Sequence, residues 1–235
     1  MDPLTEKLKR LSGGKILDIA TGYGEFLELL VNSFNDFDEA IGIDISGEII
    51  DAARKRFPEK YRFEVMDAEK IGFDDDYFDT VAIGHSLHHL RHVDIVLQEM
   101  KRVLKPDGLF IICEVFQSPD TLHSNSQRHL HHWWAAVDRA RGISHNETFT
   151  KNEILESVSP LNLANVEIFE HSEELGQQRK NELLIAMLRK CDMYIDKLRS
   201  LKGYADLIHK GEDLISRFKN QGFTPEKILY ISGRK

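Results

Sequence analysis

Short apolar runs alternate with amphipathic stretches along the first half of the chain. The runs "KILDIA" (15–20), "AIGIDI" (40–45), "YRFEVMD" (61–67), "FDTVAIG" (78–84) and "LFIICEVF" (109–116) have the length and β-branched content of buried strands. Between them "GEFLELLVNSF" (24–34), "GEIIDAARKRF" (47–57) and "VDIVLQEMKRVL" (93–104) repeat apolar residues at helical spacing. Leu4, Leu8 and Leu11 form the face of a short leading helix, which "SGG" stops. Pro58 closes the second of the longer helices, and "KPDG" (105–108) is a turn. Strands and helices alternating at this spacing predict a parallel, doubly wound α/β sheet.

The rhythm changes after Phe116. "QRHLHHWWAAVDRA" (127–140) puts Leu130, Trp133, Trp134 and Val137 on one helical face. Thr150 and Glu153 make a capping box, which starts a helix over 150–158. "NVEIFEH" (165–171) and the closing "EKILYISGRK" add a sixth and a seventh strand. Two amphipathic helices separate them. The first, over 173–201, carries apolar residues at 184, 187, 188, 191, 194, 195, 198 and 201; the second, over 204–218, at 204, 207, 208, 214, 215 and 218. The expected layout is a ligand-binding part over 1–116, a helical lid segment over 117–149, the rest of the sheet domain over 150–172 and 223–235, and a helical insertion over 173–222.

Composition narrows the class. A chain of 235 residues with 41% hydrophobic and 30% charged residues can bury a full α/β core. The net charge of −8 disfavours nucleic acid as a partner, because that binding neutralises phosphates. No run approaches a membrane span, and "MDPLTEKLKRLSGG" lacks the apolar centre of a secretion signal, so a cytoplasmic protein is expected. Cys113 and Cys191 stand far apart, which argues against a disulfide framework or a cysteine metal site.

The chemistry gathers where strands end. "LDIATGYGEF" (17–26) has small residues at Ala20, Gly22 and Gly24, so backbone can approach a ligand and a helix can start at once. The dinucleotide fingerprint needs glycine or alanine at the next small position, where Leu27 stands. Asp44 ends the second strand, about 20 residues past the glycine turn, where an acid accepts hydrogen bonds from ribose hydroxyls. Its other role would be a helix cap, which Ser46 fills better. Asp67 ends the third strand, placing a third polar residue along the same edge.

From here the chain resembles class I S-adenosylmethionine-dependent methyltransferases. "ILDIATGYGEF", "IGIDIS", "VMDAEKIGFDDDYFDTVAIGHSLHHL" and "EMKRVLKPDGLFIICE" match that family's motifs in order and spacing, over about residues 13–116. They look closest to the small-molecule branch that includes the ubiquinone and menaquinone C-methyltransferases. Ala20 departs from the usual first glycine. The resemblance implies a Rossmann-like methyltransferase fold, with Asp18 ordering the turn and the Ala20–Gly24 backbone facing S-adenosylmethionine. It further implies Asp44 and Ile45 at the ribose, Met66, Asp67 and Ala68 at the adenine, and His85 near the methionine part.

The acceptor is less constrained. "GHSLHHL" lacks the Asn/Asp-Pro-Pro-Tyr segment of amino-methylating enzymes, has no cysteine nucleophile, and the chain has too few thiols for arsenite chemistry. A small-molecule acceptor remains, with His88, His89 and Glu114 as candidate catalytic residues and His129, Trp133 and Trp134 as candidate pocket residues. His129 and His132 lie three apart on a helix, but eleven histidines without a clear ligand set predict no metal. The striped helices of 173–222 need a partner surface, either the sheet domain or a second copy, which makes a homodimer a candidate. Two other readings stay open: a non-catalytic cofactor-binding partner subunit, and an NAD-dependent oxidoreductase.

Overall fold

The computed structural model describes residues 3–57, 59–117, 124–172, 176–222 and 227–235. The helix stop expected at Pro58, the first residues of the helix expected from 173 and the start of the strand expected from 226 lie outside them. Seven strands form one sheet: β1 (Lys15–Ile19), β2 (Glu39–Asp44), β3 (Arg62–Val65), β4 (Phe78–Gly84), β5 (Leu104–Val115), β6 (Ala164–His171) and β7 (Ile228–Arg234). Their order is β3-β2-β1-β4-β5-β7-β6. β1 to β5 pair in parallel, and β7 runs antiparallel to both β5 and β6. The doubly wound, mostly parallel sheet is as expected, and its order reverses between β1 and β4, where open α/β sheets bind ligands.

Helices α1 (Pro3–Leu8), α2 (Glu25–Ser33) and α3 (Gly47–Arg56) cover one face of the sheet. The other is covered by α4 (Val93–Val103) and α6 (Lys151–Val158). Over β1, β2, β4, β5 and β7 both faces are therefore mostly dry, which is why these strands read as apolar runs, while β6 at the sheet edge is largely exposed. The predicted capping box of α6 forms, with Thr150 and Glu153 serving each other's backbone N–H. "KPDG" is a finding against simple expectation. β5 begins at Leu104, before this turn, and the turn survives as a bulge inside the strand, with Asp107 left-handed at φ 59°.

The remaining helices build a second core. α5 (Ser124–Ala140), α7 (Gln177–Arg199) and α8 (Ala205–Gln221) enclose Leu130, Trp133, Trp134, Val137, Cys191, Ile195, Leu198, Leu214 and Phe218. The stripes read from sequence face one another here. Leu201 is the exception and is exposed. Among the described residues no helix is long and apolar enough to cross a membrane.

Candidate functional site

Asp18 stands near the end of β1, fully buried, and accepts a hydrogen bond from Thr21 Oγ1 at 2.6 Å. Its other oxygen has no hydrogen-bond partner. Burial therefore pushes the carboxyl pKa up to about 7, against the pull of Thr21. Asp18 orders the turn from behind, as the family resemblance implied, and does not reach the ligand side. The turn itself is left-handed at Ala20 (φ 51°), Gly22 (φ 57°) and Gly24 (φ 83°). The three positions have different surroundings. A Cβ on Gly24 would strike the Phe63 ring at 2.7 Å, so Gly24 lets the turn pack down on β3. Around Gly22 nothing lies within 4 Å of that point. Ala20 and Gly22 line the cavity at the strand ends, and Gly24 is buried against Phe63.

Asp44 fastens this turn to the next strand. Its Oδ2 accepts the Gly22 N–H at 3.1 Å and its Oδ1 accepts the Ser46 N–H at 2.9 Å. Ser46 caps α3 through Ile49 N–H. Asp44 is thus free of the capping role, and each of its oxygens keeps a lone pair for a ligand. The Asp67 carboxylate takes the Glu69 N–H at 2.9 Å, a turn that shapes the floor beyond β3.

These strand ends surround a cavity of about 700 Å³. Ala20, Gly22, Asp44, Ile45, Met66, Asp67, Ala68 and His85 all line it, so eight of the ten residues expected at a cofactor come together. Asp18 and Gly24 are the two that do not. Ile45 is 72% exposed within it, an apolar side chain with no protein partner of its own. The fit to the expected nucleoside is direct: an acid with spare lone pairs, apolar surface from Ile45, Met66 and Ala68, and a left-handed glycine against empty space. Sequence reasoning missed Ser86, Leu90 and Arg91, and the loop residues Gly142, Ile143 and Ser144, which form the far wall. The loop carried no motif, and only the chain path brings it here.

The three candidate catalytic residues divide. Glu114, at the end of β5, is fully buried and does not line this cavity. Its carboxylate accepts Leu87 N–H at 2.7 Å, Val115 N–H at 2.9 Å and the Nδ1–H of His88 at 3.0 Å. His88 is buried as well; only His89 is exposed on the cavity side. Glu114 and His88 thus lie buried behind His89, outside the cavity lining. Sequence reasoning also missed their neighbours. His145, buried, donates Nδ1–H to Asp138 at 2.7 Å, and the Nε2 atoms of His145 and His131 lie 3.3 Å apart. Burial, reinforced by the neighbouring histidines, pushes the His89 pKa down to about 3 and that of His131 down to about 2, so both rings are neutral at pH 7. Burial also lowers the pKa of His85.

The residues expected at the acceptor lie elsewhere. Trp133 is buried among α5, α7 and α8 and donates its indole N–H to Leu207 O at 2.7 Å. With His129 and His132 it borders a separate groove of about 420 Å³ between α5 and α8. Trp134 is buried too, its ring against His131. The physical reason is size: large aromatic rings on an amphipathic stripe bury most area in the helical core.

Comparison with known proteins agrees with this geometry. Residues 17–112 match the family model described as a methyltransferase domain. The ubiquinone/menaquinone biosynthesis C-methyltransferase UbiE of Paraburkholderia phytofirmans is 36% identical over 113 residues, 47% of this chain and 46% of that protein. The match thus spans about half the length of such relatives. Among solved structures, YcgJ of Bacillus subtilis superposes with a TM-score of 0.62 at 21% identity, covering 99% of this chain and 96% of that one. Phosphoethanolamine N-methyltransferase 2 of Haemonchus contortus, solved with phosphomonomethylethanolamine and S-adenosylhomocysteine, superposes with a TM-score of 0.59 at 17% identity, over 99% of this chain and 52% of that one. At these identities the structures speak for the fold. The match over residues 17–112 makes that part of the chain similar to a methyltransferase domain, and the sheet order and the cavity at the strand ends agree with that likeness.

Proposed function

We propose that the protein transfers a methyl group from S-adenosylmethionine to a small-molecule acceptor. The observation that carries this reading is the cavity at the β1/β4 switch point, where Gly22 turns left-handed against open space and Asp44 keeps spare lone pairs. Asp44 would hold the ribose hydroxyls. Ile45, Met66 and Ala68 would enclose the adenine, with Asp67 at its edge. His85, on the β4 side, would border the methionine part. The cofactor supplies a methyl group already activated on a sulfonium, so the protein's task is to align the acceptor and exclude water.

The acceptor would enter beside His89, whose neutral ring accepts a hydrogen bond from it. Glu114 fixes His88, and His88 packs against His89 at a 44° tilt with ring centroids 4.3 Å apart, so the buried acid would set the orientation of the exposed ring. The 142–144 loop and the α5, α7 and α8 helices would act as the lid. Asn146 supports this, because its N–H binds His88 O at 2.7 Å and its side chain binds Leu90 O at 2.9 Å, which ties the lid loop to the strand β4 side.

Calorimetry with S-adenosylmethionine, S-adenosylhomocysteine and NAD tests the reading. Binding of the first two without NAD is expected, followed by S-adenosylhomocysteine release in an acceptor screen. Preference for NAD would refute it. Cofactor binding without turnover on any small acceptor would turn the assignment to a cofactor-binding partner subunit.

A further inference from the structure

Eleven histidines are spread along the sequence, and the fold gathers four of them at one corner of the cavity. One ring nitrogen from each of His88, His89 and His145 lies within 4.8 Å of those of the other two. His88 and His145 each spend Nδ1–H on a buried carboxylate, Glu114 and Asp138 respectively. That leaves Nε2 of both rings as the atom a cation would take, and on His145 the cation would displace the 3.3 Å contact to His131 Nε2. A carboxylate behind a histidine is how metal-ligating imidazoles are oriented and made more basic. Here the arrangement occurs twice, on ligands from two different segments of the chain.

We propose that His88, His89 and His145 bind one divalent cation of the zinc class at the edge of the cofactor cavity. Imidazole donors suit zinc, cobalt and nickel rather than calcium or magnesium, and no thiolate or surface carboxylate competes in the set. Three protein ligands leave one position open, as in catalytic rather than structural zinc sites. His89 belongs both to the triad and to the cavity wall, so the open position is on the acceptor side. His131 sits at its margin. Its Nε2 lies 3.3 Å from that of His145.

Charge is consistent as well. Glu114 and Asp138 place two buried acids behind the triad, enough to balance a dication. The opposing cations are Lys190, whose Nζ is drawn over the Trp134 ring at 4.0 Å, and Arg141, which pairs with Asp138 from the surface side at 3.3 Å. Such a site departs from the metal-free protein the sequence predicts. The site stands on the histidine geometry; its role, holding an acceptor's oxygen, nitrogen or sulfur lone pair near the methyl donor, rests on the methyltransferase reading.

The test uses tag-free, full-length protein, stripped with a chelator and dialysed. Zinc and cobalt(II) are titrated separately, with S-adenosylhomocysteine binding measured on the same samples. The expected result is one zinc retained per chain after gel filtration, and a strong visible cobalt band from four- or five-coordination. His89→Ala, which removes an exposed ring and leaves the core intact, should weaken zinc at least 100-fold, and His145→Ala likewise. Asp138→Asn should weaken it about 10- to 100-fold, and His209→Ala, on the exposed side of α8, should bind as wild type. No stoichiometric zinc, a weak six-coordinate cobalt spectrum, or equal zinc affinity in His89→Ala and wild type would each overturn the site. S-adenosylhomocysteine binding without zinc would discard the metal alone. Zinc binding without S-adenosylhomocysteine would discard the methyltransferase reading and keep the site.

Discussion

Asp44 Oδ2 accepts the backbone N–H of Gly22 at 3.1 Å, so the acid that ends β2 also holds the left-handed turn after β1. One carboxylate thereby shapes the cradle and keeps spare lone pairs at the cavity wall, where the proposed function puts the ribose. Asp44→Ala removes both contributions. S-adenosylhomocysteine affinity measured by calorimetry should fall by about 1–3 kcal/mol, or roughly 5- to 150-fold. An unchanged affinity would move the ribose contact to another residue.

Ala20 and His85 end the neighbouring strands β1 and β4, and both are left-handed, at φ 51° and 52°. Ser86 Oγ bridges them by donating to Ala20 O at 3.3 Å. For a residue with a Cβ this conformation costs about 1–2 kcal/mol. Ala20→Gly relieves that strain and adds roughly 0.5–1 kcal/mol of unfolded-state entropy, so stability should hold level or rise by up to about 1 kcal/mol. Ala20→Val should lower it clearly, since branching at Cβ worsens the clash. Denaturant titration of the two variants checks this, and a destabilised glycine variant would contradict the left-handed turn.

Asp18 gives the fold a pH dependence of known sign. Burial raises its pKa from 3.8 to about 7, so between these values the native state holds a proton that the unfolded state has released. Stability from this group is therefore greatest below about pH 4, falls as pH rises, and is fully lost above pH 7, with roughly 4 kcal/mol as an upper bound. Asp18→Asn keeps the shape and removes the titration. Melting at pH 5 and pH 8 should show a smaller loss on going alkaline in Asp18→Asn than in wild type. Equal losses would mean that Asp18 is ionised in the folded protein.

Trp133 joins α5 to α8 through packing and through its N–H bond to Leu207 O. Trp133→Ala should cost the helical core about 3–5 kcal/mol. Hydrogen exchange should quicken over α7 and α8 while β1 to β5 stay protected. S-adenosylhomocysteine affinity should stay near wild type, because no Trp133 atom lines the cofactor cavity, while turnover falls as the lid loosens. Protection lost throughout the sheet would show that the two cores fold as one unit.

What the sequence determined by itself is the sheet and the cofactor side of the site. Parallel strands buried on both faces must be apolar throughout, so each was legible as a run with its polar residue at the carboxyl end. Asp44 and Asp67 follow directly from where those runs stop, because strand ends define the cavity edge in this topology, while Ile45, Met66 and Ala68 came from the family resemblance. The helical stripes of α5, α7 and α8 were legible for the same reason, since burial imposes a period of 3.6.

Only the tertiary structure decided which side each polar residue faces. Glu114 ends β5 just as Asp44 ends β2, yet one is sealed beneath Leu87 and His88 and the other is open, because the chain after β4 crosses above β5. "HLHHWW" offered three histidines, and helix rotation turned His131 toward His88 while His129 faces the α8 groove. His145, in a loop without periodicity, reaches the cluster through Asp138, seven residues earlier in the chain. Spacing along one strand or helix reports its own burial; contact between segments depends on how the chain returns, and no local pattern encodes that return.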